Sequence, residues 1–134
     1  MGRFTFENLE VYQIALDFVD LVYKITAKFP NSEQFGLTSQ LRRASVSICL
    51  NVAEGYSRGG KEFSRFVDMA RGSVFECAAV FQIALRQRYL DKAQYDQIES
   101  TLIRISKMLS GLKSSLQKVS IRQPITNYQQ PITR

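Results

Sequence analysis

The clearest pattern in the chain is a seam near its C-terminal end. Tyr95, Ile98, Leu102, Ile105, Leu109, Leu112 and Leu116 alternate steps of three and four without a miss, the spacing of a helix packed along one side. Its start is signalled by Asp91 as a cap, by Gln94 three residues on as the return arm of a capping box, and by Leu90 and Tyr95 as a hydrophobic staple. The spacing predicts a helix over about 92–117. Three earlier helices follow from the same period: about 8–28, capped by Asn8 and stopped by Pro30; about 37–58, ended by Gly59-Gly60; and about 61–89. Nothing in residues 1–117 alternates with the period of two that marks a strand. The connections are short, so neighbouring helices should run antiparallel. The expected fold is all-α, an antiparallel up-down-up-down four-helix bundle over residues 1–117. Residues 118–134 hold Pro124, Pro131 and an imperfect repeat, Gln123-Pro124-Ile125-Thr126 and Gln130-Pro131-Ile132-Thr133, and are expected to form an extended tail.

The helices carry more apolar positions than one buried stripe needs. On the first, Leu9, Tyr12, Leu16, Val19 and Tyr23 share one face, and Val11, Ile14, Phe18, Leu21 and Ile25 a second. On the second, Leu37, Leu41, Ile48 and Val52 form one face and Val46, Cys49, Leu50 and Ala53 another. The third, with a core stripe from Phe63 to Leu85, is apolar almost all round beyond Phe75. Contiguous apolar area left wet is uncommon on soluble monomers, so a homo-oligomer is expected.

The chain has 134 residues, enough for one domain. It contains no histidine, which removes the usual general base, the usual triads and most zinc sites. Gly59-Gly60 lacks the flanks of a phosphate-binding loop. No catalytic residue, cofactor or metal is expected. Cys49 and Cys77 fall within apolar helical stretches and read as reduced core residues. No apolar run approaches the roughly 20 residues of a membrane span, and the N-terminus has no apolar leader, so a cytoplasmic protein with no membrane partner is expected.

The net charge is +6. Its cations form two loose groups: Arg58, Lys61 and Arg65 around the turn between the second and third helices, and Arg86, Arg88 and Lys92 around the opposite turn, with Arg42 and Arg43 near the latter in an antiparallel bundle. Guanidinium forks suit phosphates, and these eight residues are the candidate nucleic-acid contacts. They also read as solubilising charge at helix ends. Ser47, Asn51, Glu54 and Arg58 line a narrow polar stripe on the second helix, either a solvated face or a hydrogen-bonded seam between helices or subunits.

Several runs carry a family resemblance: Phe6-x-x-Leu9-x-Val11-Tyr12, Thr26-x-x-Phe29-Pro30, and Phe35-Gly36-Leu37-Thr38-Ser39-Gln40-Leu41-Arg42-Arg43-Ala44. It continues through Ser45-Val46-Ser47-Ile48, Asn51-Val52-Ala53-Glu54-Gly55, Lys61-Glu62-Phe63 and Ala70-Arg71-Gly72-Ser73-x-x-Glu76. From Phe6 to about Leu116 the chain resembles the bacterial 23S rRNA intervening-sequence proteins; the tail lies outside the likeness. The resemblance implies a four-helix bundle assembled as a ring, a homopentamer, with RNA as a candidate partner. The related accessory variability proteins of diversity-generating retroelements are more basic than this chain and bind a reverse transcriptase and nucleic acid. They suggest the alternative of a scaffold for a protein partner, such as a reverse transcriptase or a ribosome-associated factor.

Overall fold

The computed structural model describes residues 4–122, with their side chains as far as Lys118. A 3-10 turn, Thr5–Asn8, leads into α1 (Glu10–Thr26); a second, Asn31–Glu33, leads into α2 (Leu37–Arg58); α3 (Gly60–Arg86) and α4 (Lys92–Arg122) follow. No strand occurs among the described residues. The helices run up, down, up and down. α1 and α3 each border both α2 and α4, so α1 lies diagonal to α3 and α2 diagonal to α4.

Four helix boundaries differ from the sequence expectation by two residues or more, each for a local reason. Asn8 closes the 3-10 turn, and Leu9 takes the N-cap of α1. The Glu7 carboxylate folds back to accept the Phe4 amide at 3.0 Å, while its carbonyl accepts Gln13 Nε2 at 2.9 Å, which holds that turn apart from the helix. α1 stops at Thr26, whose hydroxyl donates to the Val22 carbonyl at 2.7 Å, two residues short of the expected Lys28. Pro30 disfavours helical geometry at Phe29, and Phe29 turns inward to be buried. α3 ends at Arg86 rather than 89 because the chain closes in a Schellman turn: the Tyr89 amide donates to the Ala84 carbonyl at 3.0 Å and the Arg88 amide to Leu85 at 2.9 Å. α4 continues to Arg122, so the first five residues of the expected tail are helical. Residues 118–122 hold no breaker, and the first stop is Pro124. The rest of that tail, 123–134, lies outside the described residues.

The start of α4 follows the expected chemistry. The Gln94 amide donates to Asp91 Oδ1 at 2.7 Å, and Gln94 Oε1 accepts the Asp91 amide at 3.0 Å. Tyr95, Ile98, Leu102, Ile105, Leu109 and Leu116 are all buried along one face, with Leu112 half-buried. Of the two apolar faces of α1, the one carrying Val11, Phe18 and Ile25 points inward, together with Ala15 and Val22. Phe18 meets Phe81 of α3 edge-on at 6.5 Å, across the diagonal.

α2 and α3 make the most extensive contact of the bundle. They are joined through Gly59 and Gly60, with φ of 67° and 58°, values that a side chain would resist. Gly55 lets them close. A Cβ placed there would lie 2.7 Å from Phe66 Cβ and 3.0 Å from a ring carbon of Phe63. Gly72, on α3, has nothing within 4 Å of the same position.

These placements predict opposite outcomes for two identical changes. Gly55→Ala should lower the free energy of unfolding by about 1–3 kcal/mol through overpacking. Gly72→Ala should raise it by up to about 1 kcal/mol through helix propensity. Urea titration followed by circular dichroism reads both signs. Leu102→Asp or Leu109→Asp should abolish cooperative unfolding, because an unpaired carboxylate in the seam costs a large part of a domain's roughly 5–15 kcal/mol of stability; an unchanged melting point would refute the assigned face.

Candidate functional site

The two cationic groups differ in how far their charge is already spent. At the α2–α3 turn, Arg58 Nε donates to Glu54 Oε2 at 2.8 Å and Arg65 Nη2 to Glu62 Oε1 at 2.8 Å. Both guanidinium groups also lie over the Phe66 ring, at 5.2 and 4.8 Å from its centre. The hydrogen bond from Arg65 holds the Glu62 carboxyl below its ordinary pKa and raises that of Arg65. Lys61 beside them is exposed and has no ion pair among the described residues.

At the opposite end, Arg86 and Arg88 are exposed and make no ion pair among the described residues, nor do Lys24 and Lys28 at the end of α1. Lys92 is paired with Asp96 at 2.6 Å, and the hydrogen bond raises its pKa. Arg42 is built into the fold: its Nε donates to Thr26 Oγ1 at 3.0 Å and its guanidinium sits 4.4 Å over Tyr23, tying α2 to α1. Arg43 is exposed, makes no ion pair among the described residues, and borders an outer groove with Tyr23, Val46 and Leu50. Of the eight candidate contacts, Arg43, Lys61, Arg86 and Arg88 therefore have no acidic partner among the described residues.

Arg88 has a φ of 64°, the one positive value at a non-glycine position among the described residues. It occupies the left-handed position after α3 that glycine usually fills, at a cost of about 1 kcal/mol.

The polar stripe of α2 divides into two parts. Asn51 Nδ2 donates to the Ser47 carbonyl at 2.9 Å and to Ser47 Oγ at 3.0 Å, and Ser73 Oγ of α3 donates to Ser47 Oγ at 2.9 Å. This half links two helices. Glu54 and Arg58 form an exposed surface pair, of a kind worth little.

Sequence reasoning missed three features. Lys113 of α4 donates to both carboxylate oxygens of Asp68 on α3, at 2.7 and 2.8 Å, and this bond is the main cause of that carboxyl's lowered pKa. Residues 45 apart carry no local signal of such a pair. Tyr89 Oη donates to Glu33 Oε2 at 2.9 Å, joining the α1–α2 connection to the α3–α4 turn. Phe35 is 93% exposed.

Other large apolar side chains stay at the surface on two opposite sides. Tyr23 and Leu50 border the groove on the α1/α2 side. Phe75 and Ile103, with Val74 and Ala78, line a groove of about 310 Å³ between α3 and α4. Among the described residues no helix is long and apolar enough to cross a membrane, and no group of three or more acidic, Cys or His residues could hold a metal ion.

All-helical, antiparallel and closed around one core, the molecule is a four-helix bundle. Residues 7–111 match the family of the 23S rRNA-intervening sequence protein, and the chain belongs to that family. Its fold is also that of a crystal structure from Bacteroides thetaiotaomicron, described as a protein of unknown function from the S23 ribosomal protein family. The TM-score is 0.69 at 21% identity, over 77% of this chain and 97% of that one. No curated protein matches the chain.

Burial pushes the thiol of Cys49 up to about 11 and that of Cys77 up to about 12. At about pH 8 roughly one Cys49 in a thousand is then a thiolate, and fewer of Cys77. A disulfide reagent should therefore label neither cysteine in the native protein and both in denaturant; rapid native labelling would place a thiol at the surface.

Proposed function

We propose that the protein is a non-catalytic subunit that assembles with copies of itself and binds the RNA backbone through its basic end. The observation that carries the reading is the unspent charge of Arg86 and Arg88 beside Lys24 and Lys28, against the self-neutralised pairs of the α2–α3 turn. Phosphate contacts draw their affinity from cations that can release counterions, and a guanidinium already bound to a carboxylate contributes less. The family is consistent with an RNA partner by its description. A non-catalytic role is supported by the lack of histidine in the chain and by the buried, proton-holding thiols.

The opposed apolar sides support assembly. A contact between the α1/α2 side of one copy and the α3/α4 groove of the next joins unlike surfaces, and such contacts close into rings when the rotation allows. A pentamer, cytoplasmic in location, is the form the family likeness favours. The alternative occupant of the α3/α4 groove is another protein, and that reading is favoured if the chain proves monomeric.

One preparation tests both parts. Light scattering should give a multiple of 15.3 kDa, and Leu50→Glu or Phe75→Glu should reduce it to that value. Fluorescence anisotropy with labelled RNA should show affinity falling steeply with salt. Replacing Arg43, Arg86 and Arg88 by Gln should reduce the slope of log affinity against log salt by about 2, while the same change at Arg58, Lys61 and Arg65 should do less. No affinity at low salt would refute RNA binding.

A further inference from the structure

We infer that the basic end is a single-strand site, in which an unpaired nucleobase stacks on the ring of Phe35 while Arg86 and Arg88 hold the flanking phosphates. This rests on the RNA reading above and specifies its form.

The ring is presented by the backbone around it. Glu33 turns its carboxylate back into the connection, where Oε1 accepts the Leu37 amide at 3.0 Å and Oε2 the Tyr89 hydroxyl at 2.9 Å. The Gly36 amide donates to the Glu33 carbonyl at 2.9 Å. The Glu33 carboxylate folds over Gly36, where a Cβ would lie 2.6 Å from its Oε1. Phe35, between the two, stands 93% exposed. Among the described residues no ring or cation lies against it, whereas Phe29, six residues earlier, is buried and packs on Tyr89 at 5.4 Å.

The same residues place the arginines. The Tyr89–Glu33 bond and the Phe29–Tyr89 contact clamp the Phe35 connection onto the α3–α4 turn. Arg88 immediately precedes Tyr89, and Arg86 ends α3. Arg88 holds a left-handed backbone that would suit glycine better, and its side chain makes no ion pair among the described residues. The neighbouring acid, Glu33, is already engaged by two donors. An isolated aromatic face at the same end of the bundle as uncommitted guanidinium groups is the arrangement that binds single strands: any base has a face to stack, and the cations follow the backbone. A duplex keeps its bases stacked on each other and offers this ring nothing but an edge.

The chain has no tryptophan, so Phe35→Trp, excited at wavelengths too long for tyrosine, makes a single-tryptophan reporter at the site itself. The probes are a short oligouridylate and an RNA duplex of the same length. Added oligouridylate should quench the Phe35→Trp emission, and the duplex should not. Phe35→Ala should weaken oligouridylate binding by at least about fivefold, leave duplex binding unchanged, and melt like the parent. If the parent binds oligouridylate but Phe35→Ala binds it equally and the Trp emission stays constant, the stacking site is wrong while the RNA reading stands. If Phe35→Ala lowers the mass seen by light scattering, the ring is a contact between copies and the inference is overturned. If the parent binds neither probe, the RNA reading falls and takes this site with it.

Discussion

α2 and α3 make the most extensive helix contact among the described residues, and the absence of a side chain at Gly55 is what permits it. A helix surface without a side chain there lets the β-carbon of Phe66 and the ring of Phe63 press against the α2 backbone. Phe63 is thereby buried, while Phe66 remains half-exposed and available to two guanidinium groups. The Ser47–Ser73 hydrogen bond adds a polar contact higher along the same pair. The helices on either side, α1 and α4, pack against this hairpin, and their mutual contact is the lesser one.

Closing four helices on one core leaves apolar area outside it. The bundle buries Val11, Phe18 and Ile25 of α1 and keeps Leu16 and Tyr23 at the surface; on α3 it buries Val74, Cys77 and Phe81 and leaves Phe75 and Ile83. The exposed positions of α1 and of α3 lie on sides of the bundle facing away from each other. The arginines at the α2–α3 turn are matched locally by Glu54 and Glu62, which leaves Lys61 as its uncompensated candidate and makes that end electrostatically quieter than the other.

The quiet end and the basic end also differ in construction. The α2–α3 turn is made by two glycines. The other end is made by a clamp of Phe29, Glu33 and Tyr89, which joins two connections that share no sequence proximity. That clamp is what brings an exposed aromatic ring and two arginines into one neighbourhood, and it gives the end a defined shape rather than two independent loops.

The number of helices, the start of α4 and the seam along it were legible in the sequence, because hydrophobic period and capping chemistry are local. The seven seam residues and the Asp91–Gln94 cap needed no tertiary information. The eight basic candidates were legible as a set, but not which of them retain charge for a ligand. That depends on partners: Arg58 and Arg65 had acids at helical spacing, whereas Arg42 found Thr26 and Tyr23 on another helix. Which of the two apolar faces of α1 would turn inward was undecidable from period alone, since both satisfy it, and the packing of α2 and α4 against it made the choice. Tertiary structure alone brought the connection that carries Phe35 to the turn that carries Arg88, because the Tyr89–Glu33 hydrogen bond joins residues 56 apart, and nothing local encodes a contact over that distance.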